Sequence, residues 1–216
     1  MPAPETLRLG FVPGVTPDKW ARTWHQRQPR VRLELVPVAE AEQRAVLDDW
    51  SVDLCLVRLP LDTEGLHLIR LYDEVAVVVM SVEHELSLLD EVTADDLDGQ
   101  IVNDGPAREA IETAAAGTGV VLVPMSVARL HHRKDVTFRP LAGATATTVG
   151  LAWSRDRGDE RFEELVGVVR GRTANSSRGA QAPPRTPPKK KAPPRPAKKV
   201  PGKSGRTPLT RKHRPR

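Results

Sequence analysis

The first sixty residues alternate between two periods of apolar spacing. "LRLGFVP" (7–13) is a nearly unbroken apolar run, the pattern of a strand covered on both faces. "TPDKWARTWHQRQ" (16–28) changes to helical spacing, with Trp20 and Trp24 four apart on one face. Thr16 is placed to cap that helix, Pro17 suits its first turn, and Asp18 suits the positive end of its dipole. "RVRLELVPV" (30–38) alternates as a strand with Val31, Leu33 and Leu35 on one side. "EAEQRAVLDDW" (40–50) predicts a second helix and "VDLCLVRL" (52–59) a third strand. This β-α-β-α-β order implies neighbouring parallel strands joined by right-handed crossovers.

The pattern then shortens. "LHLIRLYDEVAVVVM" (66–80) predicts two extended runs broken at Tyr72-Asp73, and "TADDLDG" (93–99) a short helix capped by Thr93 and stopped at Gly99. "QIVND" (100–104) is a predicted strand, "PAREAIETAAAG" (106–117) a helix, "GVVLVP" (119–124) a strand and "MSVARLHH" (125–132) a short helix. "VTFRPL" (136–141) and "TTVGLAWSR" (147–155) are predicted strands, and "DERFEELVGVVRG" (159–171) the last helix. Within "AAAGTGVVLVP" (114–124) the Gly-x-Gly pair superficially suggests a dinucleotide loop. That loop requires strand, glycines, helix, so that phosphate meets a helix N-terminus. Here the order is helix, glycines, strand, and the third glycine is missing. Gly117 therefore reads as a helix C-cap, and Gly119 as a point of close backbone approach.

Charge divides the chain in two. Residues 171–216 hold 15 of the 33 Lys and Arg and none of the 28 Asp and Glu, so residues 1–170 carry 18 basic and 28 acidic groups, a net −10. "APPRTPPKKKAPPRPAKKVPGKSGRTPLTRKHRPR" (182–216) also holds 10 of the 20 prolines and no aromatic residue. A segment with so little apolar surface cannot offset the entropy of ordering itself, and a disordered, polyproline-biased arm is expected over 171–216. The single cysteine, Cys55, excludes an intramolecular disulfide and suits a reducing compartment. The opening "MPAPETLRLGFVPG" lacks the pattern of an export signal, and no apolar run reaches the roughly 18 residues of a membrane span. A cytoplasmic protein is expected.

Taken in order, several stretches resemble the effector-binding (substrate-binding) domain of LysR-type transcriptional regulators. They are "LRLGFVPGVTP", "VDLCLVRLP", "LYDEVAVVVMSVEHELS", "AAAGTGVVLVP" and "VTFRPL…VGLAWSRD". The resemblance implies an α/β, two-lobed, type 2 periplasmic-binding-protein-like domain over 1–170, with a parallel sheet. Lobe I would span about 5–72 and 120–170, and lobe II about 73–119. Two departures stand out. LysR regulators open with a winged helix-turn-helix, whereas this chain starts at the first strand of the effector domain. Only "QIVNDGP" separates two helices where the family carries a further strand and helix, so the second lobe is predicted to be reduced.

In this fold ligands lie between the lobes at the carboxyl ends of parallel strands. The predicted ligand contacts are Gly14, Val15 and Thr16 after the first strand, Val38 after the second, and Arg58 after the third. Asn103 and Asp104 at the start of the short second lobe, and Thr118 at the return crossing, complete the set. Each has a plainer role: Thr16 as a cap, Arg58 as a partner for body carboxylates, Val38 as a strand exit, Asn103-Asp104 as a turn, Thr118 as a hinge. An organic carboxylate would suit a helix N-terminus with a nearby guanidinium. His131-His132 are adjacent and diverge on a helix, "EHE" (83–85) reads as a turn, and Cys55 as an inert buried thiol. No nucleophile elbow, zinc-protease or Walker motif occurs, so neither catalysis nor a cofactor is expected.

The arm carries its own expectation. Lys189, Lys190, Lys191, Arg195, Lys198, Lys199, Lys203, Arg206, Arg211 and Lys212 are spaced by prolines and suit non-specific contact with nucleic-acid phosphates. A solubilising arm, or one resting on the acidic body, would show the same composition. For the whole chain the sequence supports an effector-binding regulator. The alternative is a non-catalytic interaction scaffold, pairing side to side as LysR effector domains do to form homodimers.

Overall fold

The structure is a computed structural model, and it describes residues 5–171. The expected basic arm lies outside the described residues. The first sheet has strand order β2-β1-β3-β8-β4. Its members are β1 (Glu5–Phe11), β2 (Val31–Pro37), β3 (Leu54–Arg58), β4 (Leu66–Glu74) and β8 (Thr147–Ser154). β1 runs parallel to both β2 and β3, as the alternating pattern requires. β8 is antiparallel to both β3 and β4, so the sheet is mixed rather than wholly parallel.

Central position explains why every residue of β3 is buried. On one face Leu7, Leu9, Leu54, Leu56 and Leu151 pack against α1 (Asp18–Arg27) and α5 (Glu160–Val169) through Trp24, Phe162 and Leu165. Trp24 is fully buried, and its indole Nε1–H donates to the Val31 carbonyl at 3.0 Å, which satisfies the one polar atom it takes inside. On the other face Cys55, Val57, Val38 and Leu66 pack around Leu47 of α2 (Ala45–Asp48).

The second sheet is antiparallel, with order β6-β5-β7: β5 (Ala76–Ser81), β6 (Val121–Pro124) and β7 (Val136–Pro140). α3 (Ala107–Ala115) and α4 (Met125–Leu130) cover one of its faces through Ala110, Ile111, Ala114 and Ala128. The lobe boundary expected at residue 120 is therefore displaced. β6, α4 and β7 belong to lobe II, because Val121 and Val123 pair with β5 rather than with a strand of the first sheet. The chain crosses between lobes after Glu74 and again before Thr147, and these two residues face each other as the last pair of the β4–β8 ladder.

Several elements differ from their predicted form. The helix expected over 40–50 is a single 3-10 turn, Glu40–Glu42, followed by the short α2. The Gln43 side chain between them is buried, donating to the Arg58 carbonyl at 2.9 Å and accepting from the Arg58 N–H at 2.8 Å. That tertiary demand outweighs helix propensity. Residues 93–99 form one 3-10 turn, Asp95–Leu97, with Thr93 and Asp96 bonded reciprocally as in a capping box. The strand expected at 100–104 is only a bridge between Val102 and Val120. The break expected at Tyr72-Asp73 comes at Val75, with a bulge between Arg70 and Tyr72.

The two glycines of "AAAGTGVVLVP" have the predicted structural roles. The Gly117 N–H bonds to the Ala114 carbonyl and the Thr118 N–H to the Thr113 carbonyl, the paired closure of a helix by a left-handed residue. Gly119 has φ +68°, and a Cβ placed there would sit 2.0 Å from the Ile101 carbonyl oxygen. Gly119→Ala is expected to lower stability in urea unfolding by about 3 kcal/mol, combining left-handed strain with a backbone clash. Gly117→Ala, where a Cβ meets nothing within 4 Å, should cost only about 1–2 kcal/mol.

Candidate functional site

A compartment of about 770 Å³ opens between the lobes at the carboxyl ends of β1, β2 and β4. Lobe I lines it with Phe11, Gly14, Val15, Thr16, Val38 and Ala39. Tyr72 and Glu74 close it from β4, and Ser126, Arg129 and Leu130 from α4 of lobe II. The α4 residues stand at i, i+3 and i+4, so one helix face supplies all three. A second compartment of about 730 Å³ shares Pro13 and Ala39 with the first and reaches Glu40 and Gln43 in lobe I, and Gly105, Pro106 and Val127 in lobe II.

Arg58 sits beneath the junction of the two. Its guanidinium is 1% exposed and makes five contacts. Nε and Nη2 donate to Glu74 Oε2 at 3.1 and 3.0 Å, and Nη1 to Glu40 Oε2 at 2.7 Å. Nη2 also reaches the Pro13 carbonyl at 2.9 Å and Ser126 Oγ at 3.3 Å. A charge this deep persists only when paired, and Glu74, also buried, supplies the partner. The pairing with body carboxylates is thus the arrangement present, and Glu40 and Glu74 stand where a ligand carboxylate would have to bind Arg58.

Gly14, Val15, Thr16 and Val38 are brought together in the first compartment. Thr16 is exposed and does not cap α1: the cap position is Pro17, with no side-chain bond, so the hydroxyl remains at the compartment wall. Gly14 touches lobe II so closely that a Cβ there would lie 2.5 Å from Ser126 Oγ. Asn103 and Thr118 come together elsewhere, the Asn103 amide donating to the Thr118 carbonyl at 2.6 Å, on the rim of lobe II. Asp104 is exposed, one residue before the Gly105 wall of the second compartment.

Sequence reasoning missed Tyr72, Glu74, Ser126, Arg129 and Leu130. Burial and the neighbouring Glu74 carboxylate raise the Tyr72 phenol above its ordinary value, partly opposed by Arg58, so it stays a neutral donor. Elsewhere His84 Nδ1 accepts from the Leu86 N–H and opens a turn, as the "EHE" reading expected. His131 and His132 lie at the end of α4 beside Arg108 and Arg133, around a depression of about 310 Å³. Among the described residues no cluster of three metal-ligating side chains occurs, and no helix is long and apolar enough to cross a membrane.

Residues 3–102 match the family model described as LysR substrate binding domain, so the resemblance drawn from the sequence holds. The Hca operon transcriptional activator HcaR of Escherichia coli (strain K12) is 26% identical over 203 residues, 78% of this chain and 68% of its own length. A probable hydrogen peroxide-inducible genes activator of Mycobacterium avium is 26% identical over 203 residues, 76% of this chain and 64% of its own length. This chain thus spans about two thirds of the curated relatives it matches. Among solved structures, the BenM effector binding domain with its effector benzoate aligns with a TM-score of 0.65 at 19% identity, covering 83% of this chain and 96% of that one. The fold is that of a two-lobed, type 2 periplasmic-binding-protein-like domain.

Cys55 is sealed between β1 and β8, and burial pushes its thiol up to about 12. At pH 8 only about one thiol in ten thousand would then be thiolate, the reactive form. The folded chain is expected to leave Ellman's reagent unreacted at pH 8 and to release one equivalent once unfolded in guanidinium. One equivalent released by the folded protein would show that β3 opens to solvent.

Proposed function

We propose, for a body built as the effector-binding domain of a LysR-type transcriptional regulator, that the cleft takes up a small organic effector and that its occupancy regulates transcription. The supporting observation is the compartment of about 770 Å³, within the range of small-molecule sites and walled by both lobes. An occupant there touches Thr16 and Val38 of lobe I and Leu130 of lobe II together, so it biases how the lobes sit against each other. The two curated relatives are named as activators of transcription, which favours the regulatory reading. Peroxide sensing, named for the second, forms no part of this proposal, since the single cysteine of this chain, Cys55, is fully buried. The proposed contacts are Gly14, Val15, Thr16 and Val38, with Asp104 beside the second compartment, while Arg58 acts from below by fixing Glu74 and Glu40. Asn103 and Thr118 are proposed to hold the rim rather than the ligand.

The basic arm is proposed to hold nucleic acid without reading sequence, the protein acting in the cytoplasm and pairing with a second copy. Its 15 cations against a body at −10 give the chain a polarity that counter-ion release from phosphates would exploit.

Thermal unfolding of the full chain with a panel of aromatic acids, amino acids and their amides tests the cleft. A ligand at 100 times its Kd adds about 2.7 kcal/mol, a rise of roughly 5–10 °C. Ala39 lines both compartments from an exposed, extended position, so Ala39→Trp should abolish the rise while leaving the unliganded midpoint within about 2 °C. No rise across the panel would favour the interaction scaffold.

For the arm, gel shifts should compare the full chain with a variant in which Lys189, Lys190, Lys191, Arg195, Lys198, Lys199, Lys203, Arg206, Arg211 and Lys212 are Gln. With about six phosphates engaged, log K should fall against log salt with a slope of roughly −5, and the variant should lose most binding. Equal binding by both would remove nucleic acid as the partner of the arm.

A further inference from the structure

Two charged side chains line the first compartment, and they stand in opposite situations. Glu74 is buried, and its Oε2 accepts from both Nε and Nη2 of Arg58. Arg129 is exposed on the cleft face of α4, and among the described residues no carboxylate lies within salt-bridge distance of it. We infer that Arg129 is the anion anchor of this compartment, and that its ligand is a compact monoanion: one carboxylate on an apolar ring or branched chain. This rests on the reading of the cleft as a ligand site and names the chemistry that site selects.

The walls set the body of that ligand. Phe11, Val15, Val38 and Leu130 offer apolar surface, Leu130 being 56% exposed although it adjoins the compartment. An apolar occupant would remove that surface from water, at about 25 cal/mol per Å². The polar atoms set its head group. Thr16 contributes a hydroxyl free of capping duty, Tyr72 a protonated phenol, and Arg129 a fork of N–H donors matched to a carboxylate. A cationic ligand would face Arg129 and find the Glu74 carboxylate already engaged. A dianion would find one unpaired cation, too few to neutralise it.

Calorimetric titration of the full chain with benzoate, phenylacetate and cyclohexanecarboxylate, each beside its amide, tests the assignment. The acids should bind at least tenfold more tightly than the amides, the scale of one charge-assisted bond. Arg129→Gln, at an exposed position that does not hold the fold, should bring each acid to within about twofold of its amide and leave the amides unchanged. Leu130→Ala should weaken acid and amide alike, by a similar factor. Amides binding as well as acids, or an acid preference that survives Arg129→Gln, would overturn the anchor while leaving the cleft a ligand site. Binding by neither series would overturn the cleft reading, and the anchor with it.

Discussion

Everything in the cleft depends on one buried cation. Arg58 ends the central strand of the first sheet, and the interior cannot hold its guanidinium unpaired. The chain meets that demand with groups from four segments: the Pro13 carbonyl after β1, Glu40 after β2, Glu74 at the end of β4, and Ser126 in α4. Three of the four belong to lobe I or its exit, and Ser126 belongs to lobe II. Satisfying one charge therefore gathers both lobes around a single point. The geometry of the two compartments follows from it, because Pro13, Glu40, Glu74 and Ser126 are all wall residues.

The same pairing decides what the cleft can attract. A guanidinium holding two carboxylates presents no net positive charge to a ligand. Arg129 stands on the opposite lobe from Thr16, and a molecule held by both would be held by both halves of the protein. Binding that spans both lobes in this way couples affinity to lobe position.

Local chemistry was legible in the sequence wherever a residue answers to near neighbours. The strand order β1 to β3, the burial of Trp24, the Gly117 closure and the close approach at Gly119 all follow from spacing or from a backbone requirement. What could not be read is what distant segments impose. "EAEQRAVLDDW" has helical spacing, but Gln43 is drawn inward to both backbone groups of Arg58, fifteen residues away, and the helix breaks. "GVVLVP" shows a strand without showing its partner, so its lobe was misassigned. For Arg58 the sequence leaves a ligand and a body carboxylate both open, because nothing near it in the chain reveals Glu74 or Glu40 as the claimants. Arg129, Leu130 and Ser126 carry the spacing of one helix face, and that face points into the cleft only because β6 pairs with β5.

The ladder between β4 and β8 has a consequence for how the two lobes are joined. Its last pair joins Glu74 to Thr147, and the whole of lobe II is strung between those two residues. In topological terms lobe II is the loop of a long hairpin. No strand of that loop pairs with the first sheet, whose five strands all lie outside it. The half that carries Thr16 and Val38 and the half that carries Arg129 thus have separately paired sheets, and they meet where Ser126 reaches Arg58 and Gly14.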